Sequence, residues 1–89
     1  MSELLAGWTE TTAEKCLASC NDNTAWIQER IDAWKQSRDE YKKIKGLDKE
    51  DVKAYTLACN EFIQVLSNIK QSFAITKDKA EFVLEAFRS

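Results

Sequence analysis

From Val52 to Phe87 a stripe of largely apolar side chains recurs at alternating intervals of three and four residues. It runs Val52, Tyr55, Cys59, Phe62, Leu66, Ile69, Phe73, Thr76, Ala80, Val83 and Phe87, and its phase never slips. Only a helix keeps such positions on one side, and an apolar stripe of that length needs a second helix against it. The chain has no proline and two glycines. That leaves little turn chemistry for a sheet of several strands, so the fold expected is all-α.

Gly46 is the strongest punctuation. It follows Lys42, Lys43 and Lys45, which suit a helix C-terminus, and a glycine at the C′ position takes left-handed backbone without steric cost. Asp48 is placed to cap the next helix, with Glu50 and Asp51 at its positive end and Leu47 poised to staple onto Val52. A tight turn at Gly46-Asp48, two or three residues long, forces its flanking helices antiparallel. The architecture expected is an antiparallel helical hairpin or small bundle of two to four helices in a single domain, residues 1–89. It comprises an N-terminal clasp over 1–10, a first arm over 12–45 and a long C-terminal arm over 49–88.

The clasp is read from Leu4, Leu5 and Trp8 around Gly7, with Trp8 covering one end of the bundle. Thr11-Thr12-Ala13-Glu14 has the form of a capping box, which predicts the start of the first arm. Its seam runs Ala13, Leu17, Cys20, Thr24, Ile27, Ile31, Trp34, Arg38, Tyr41 and Lys45. Asn21-Asp22-Asn23-Thr24 are weak helix formers whose summed cost is about 2 kcal/mol relative to alanine. They favour a break at 21–23, although an unbroken helix keeps the seam in phase. In the second arm Asp78 and Glu81 imitate a cap, yet the seam continues across Thr76-Asp78, so a continuous or slightly bent helix is expected.

The second arm is richer in apolar groups than the first. Ile63 and Val65 flank the stripe near Phe62 and Leu66, and Ile75 and Phe82 lie off it, whereas the first seam contains Thr24 and Arg38. Uncovered apolar surface of that kind marks an interaction site. The candidate protein interface is therefore Trp26, Phe62, Ile63, Val65, Leu66, Ile75 and Phe82. Trp26 lies about 100° around the helix from Ile27, and its alternative role is to pack under the clasp.

Catalysis finds no support in motif or composition. There is no histidine, no Gly-x-Ser-x-Gly turn and no glycine-rich phosphate loop, and Glu29 and Asp32 belong to a solvated helix face. Cys16, Cys20 and Cys59 lack zinc-site spacing and read as small buried hydrophobes, so no metal or cofactor is expected. Their odd number excludes a complete disulfide framework within one chain and suits a reducing, cytoplasmic setting. Net charge is −2 with both signs interspersed, which disfavours nucleic acid, and no run approaches the roughly 20 apolar residues of a membrane span. Lys42, Lys43 and Lys45 form a candidate site for a small anion, particularly in an oligomer.

Ala54-Tyr55, Glu61-Phe62, Lys77-Asp78 and Phe87-Arg88 resemble, in type and spacing, the C-terminal helix of type III secretion needle subunits. The resemblance covers fewer than half of the residues. It implies a polymerising helical hairpin, and the chain departs from it at Gly46-Leu47-Asp48, where that family uses a proline-containing turn. Three functions follow as expectations. The first is a non-enzymatic adaptor or inhibitor that binds another protein through helix faces and forms a homo-oligomer. The second is a self-assembling subunit of a filament or secretion apparatus, and the third an oligomer that sequesters a small anionic ligand.

Overall fold

In the computed structural model, which describes residues 7–89, two helices pack against each other along their whole length: α1 (Glu10–Lys42) and α2 (Lys49–Arg88). They run antiparallel. Arg38 of α1 donates to Asn60 of α2 at 2.8 Å near the turn, and Arg88 of α2 reaches Glu10 and Glu14 of α1 at the other end. The hairpin is a rod of 63 × 19 × 15 Å. Among the described residues no helix is long and apolar enough to cross a membrane.

α1 begins two residues earlier than the sequence suggests. Thr9, not Thr11, is the N-cap, and the box is closed by Thr12 in place of an acid: the Thr12 N–H donates to Thr9 Oγ1 at 3.0 Å, and the Thr9 N–H donates to Thr12 Oγ1 at 2.8 Å. A threonine hydroxyl accepts as a glutamate carboxylate would, so the Thr9–Thr12 pair closes the box. Ala13 is fully buried against Val83 and Leu84, with Trp8 and Leu17 alongside. Trp8 is half-buried against this cluster. Leu4 and Leu5, the rest of the anticipated clasp, lie outside the described residues.

The break expected at 21–23 does not occur. α1 passes through Asn21-Asp22-Asn23 because Cys20 and Ile27, on either side of them, are both buried against α2, and a break would throw one out of register. Asn23 turns its amide to the Ser19 hydroxyl at 3.2 Å. Asn21 and Asp22 face solvent and still cost helix propensity. Asn21→Ala with Asp22→Ala should therefore stabilise the chain by about 1 kcal/mol, seen as a higher urea midpoint by circular dichroism. A lower midpoint would mean that those side chains cap something.

The turn is longer than two or three residues. α1 ends at Lys42, with Lys43 as C-cap, and the chain does not re-enter helix until Lys49. Gly46 does take left-handed backbone, φ +85°, but three residues beyond the C-cap rather than at C′. Lys45, expected as the last seam residue, consequently sits exposed in the turn. Asp48 is the N-cap of α2 as anticipated, accepting from the Glu50 N–H at 2.9 Å. α2 is unbroken across Thr76-Asp78, where the Thr76 hydroxyl donates back to the Ser72 carbonyl.

Candidate functional site: an uncovered apolar face

The seam of α1 is buried much as its spacing predicts, from Ala13 to Tyr41. α2 behaves differently. Along its middle the shielded positions run Thr56, Cys59, Ile63, Leu66, Ser67, Lys70, Phe73, Lys77 and Ala80, which keeps one row of the predicted stripe and replaces the centre of the other by the row one residue further on, while Tyr55 and Val83 at the two ends of that other row stay shielded. The displaced row contains Phe62, Ile69 and Thr76, all exposed.

The polar groups of α1 account for this choice. Gln28 and Arg38 lie in or beside its seam, and they need polar partners once water is excluded. Lys70 Nζ donates to Gln28 Oε1, and Arg38 donates to Asn60 Oδ1. Turning that mixed row of α2 inward gives Gln28 its partner in Lys70, while Arg38 meets the exposed Asn60 at the edge, and the uncharged row is left outside.

The result is a second heptad stripe, one step around α2 from the buried one. Ala58, Phe62, Val65, Ile69, Ser72 and Thr76, at intervals of 4, 3, 4, 3 and 4, are all exposed and none is charged. Phe62 is 50% exposed, Val65 54% and Ile69 41%. α1 extends the same face. Trp34 stacks on Phe62 with ring centroids 4.7 Å apart, and a shallow groove of about 190 Å³ beside it is lined by Arg30, Ala33, Trp34 and Ser37. Arg30 lies over the Trp26 ring at 5.8 Å, and that ring is 57% exposed rather than tucked beneath the N-terminal segment.

The structure sorts the anticipated interface residues into three groups. Trp26, Phe62 and Val65 lie on this face. Ile63 and Leu66 are half-buried in the row packed on α1, and Ile75 and Phe82 project from the back of α2, at 65% and 54% exposure. Ile69 belongs to the face and was overlooked as an interface residue because it sits in the predicted seam. The small residues Ala58, Ser72 and Thr76 give no signal on their own and are found only by extending the interval pattern from Phe62 and Val65.

Other clusters carry less. Lys42, Lys43 and Lys45 are exposed, and Asp39 stands beside them with its carboxyl held below the usual range, first by the Arg38 hydrogen bond at 3.0 Å and then by Lys42 and Lys43. Asp39 thus pairs with Arg38, not with Lys43 one turn on. A cleft of about 490 Å³ at the open end is lined by Leu17, Glu81, Leu84, Glu85, Arg88 and Ser89, and its one cation is already held by Glu10 and Glu14. Among the described residues no group of three His, Cys, Asp or Glu side chains converges as a metal site.

Cys20 and Cys59 are buried and Cys16 is half-buried. Burial, and then the neighbouring Cys16 thiol, pushes the Cys20 thiol above its ordinary 9.0. Iodoacetamide should therefore alkylate Cys16 first in the native protein and reach Cys20 and Cys59 only as the chain opens. Mass spectrometry of a time course gives the order, and early modification of Cys59 would contradict the packing. Since the folded state favours the neutral Cys20 thiol, the stability it contributes is present below pH 9 and is lost as pH rises through its raised value.

Fold and face together define a class: a two-helix antiparallel hairpin that keeps an uncharged row of α2 in solvent, flanked on α1 by Trp26, Arg30 and Trp34. Comparison of the chain with protein-family models, with curated proteins and with solved structures found no match.

Proposed function

We propose that this chain is a non-enzymatic docking protein, an adaptor or inhibitor that engages another polypeptide through the face formed by Phe62, Val65, Ile69 and Trp26. One observation carries the reading. The hairpin packs a row containing Lys70 and Lys77 inward while the uncharged row Ala58–Thr76 stays in solvent. A hairpin that acted alone would lose hydrophobic stabilisation by that choice, whereas a protein that receives a helix on the outer row gains a second seam. Tryptophan beside arginine at the edge of the face fits the residue types that dominate binding energy in protein interfaces.

A photo-cross-linking amino acid at position 69, used in extracts of the native host, tests the proposal. Adducts containing a second polypeptide are expected at position 69 and not at position 29, where Glu29 faces solvent on α1. Equal yields from the two positions would remove the reading.

A second reading, a self-assembling structural subunit, draws on the second apolar patch, Ile75 and Phe82 on the back of α2. Two patches on different sides of one chain permit head-to-tail contacts that do not close, and such contacts build filaments. Electron microscopy of the concentrated protein separates the readings, since a docking protein forms no filaments.

A further inference from the structure

The docking reading leaves the occupant of the face open, and the geometry commits to one. We infer that a second copy of this chain covers it, α2 packing antiparallel on the partner's α2 across a two-fold axis to form a four-helix bundle. The inference rests on the docking reading and adds the identity of the partner.

Three observations carry it. The first is area. The chain exposes 6640 Å², whereas a compact protein of its 10.2 kDa exposes about 5,300 Å², a surplus of about 1,300 Å². A standard interface takes about 800 Å² from each partner, so one two-fold contact absorbs most of the surplus. The rod of 63 × 19 × 15 Å becomes, side by side with another, the cross-section of a four-helix bundle.

The second is self-complementarity. The stripe is centred between Val65 and Ile69, and a two-fold axis at that point sets Val65 against the partner's Ile69, Phe62 against the partner's Ser72 and Ala58 against the partner's Thr76. Large thereby meets small at the ends and medium meets medium at the centre, over about 27 Å of helix, with no charge buried.

The third is the charge just beyond each end. The next positions of the same rows include Asp51 on one side and Lys79 on the other, both exposed. The antiparallel two-fold brings Asp51 within about one turn of the partner's Lys79, whereas a parallel copy in register would set acid against acid and lysine against lysine.

Sedimentation equilibrium from micromolar to millimolar concentration tests the inference, with circular dichroism to verify that each variant remains helical. The wild-type chain should reach twice the 10.2 kDa protomer mass. Val65→Glu should raise the dimer dissociation constant at least about 30-fold, and Ile75→Glu, on the back of α2, should leave it within about 3-fold. Lys79→Glu should weaken the dimer about 5-fold, and Asp51→Lys added to it should restore the loss. A wild-type monomer throughout, or a dimer lost in Ile75→Glu and retained in Val65→Glu, overturns the inference. Failure to restore with the charge swap overturns the antiparallel arrangement. The docking reading would survive a monomeric wild type if the position-69 cross-link to a different polypeptide disappears in Val65→Glu, and would fall with the dimer if no such cross-link forms.

Discussion

Val83→Asp will cost the chain about 4 kcal/mol and lower its melting temperature on the order of 20 °C, because it places an ionised carboxyl where no partner and no water can reach it. Val83 is 1% exposed and sits in the cluster of Ala13 and Leu84 that Trp8 and Leu17 cover. A small domain has about 5–10 kcal/mol in total, so much of the fold's margin goes with that one side chain. Thermal unfolding followed by circular dichroism measures it. The same substitution at Val65, whose side chain is half in solvent, should leave the transition of the dilute protein within about 0.5 kcal/mol of wild type. Equal losses at the two positions would mean that the outer row is as deeply packed as the inner one.

The second large effect contrasts two neighbours on α1. Ile31→Ala should destabilise by about 3 kcal/mol, the transfer loss of its removed methylenes plus the cavity they leave between the helices. Trp26→Ala removes a far larger side chain and should change the stability of the dilute protein by less than about 1 kcal/mol, since more than half of that ring faces water. Urea denaturation at low micromolar concentration, where association contributes little, gives both numbers. A Trp26→Ala loss as large as that of Ile31→Ala would place Trp26 in the protomer core and take away one anchor of the face.

How far the sequence alone leads depends on which force decides each element. The two helices, their antiparallel course, the cap at Asp48 and the seam of α1 follow from interval pattern and cap chemistry, which are local and need no knowledge of the neighbour. The run Asn21-Asp22-Asn23-Thr24 misleads because propensity is local while burial of Cys20 and Ile27 is not, and a cost of about 2 kcal/mol spread over four residues is smaller than the packing on either side. The turn misleads for a related reason. Lysines and a glycine fit a helix end at more than one register, and the helix in fact stops at Lys42.

The face was half visible. Phe62, Val65 and Trp26 stand out as apolar groups beyond what a two-helix seam needs. What the pattern could not resolve is which of two adjacent rows on α2 turns inward, because Phe62 and Ile69 look like better core residues than Lys70 and Lys77. The polar groups of α1 settle it, and no reading of α2 by itself contains them. The outer row becomes evident only when Gln28 is seen holding Lys70.

The central claim is that α2 keeps an uncharged row in solvent within a single protomer. Methyl proton relaxation by a soluble paramagnetic agent reads that directly. In dilute protein the methyls of Val65 and Ile69 should relax as strongly as those of Ile75, while those of Ile27, Ile31 and Val83 stay protected, and concentrating the sample should shield Val65 and Ile69 but not Ile75. Val65 and Ile69 shielded in the dilute protomer to the same degree as Ile31 would contradict the account.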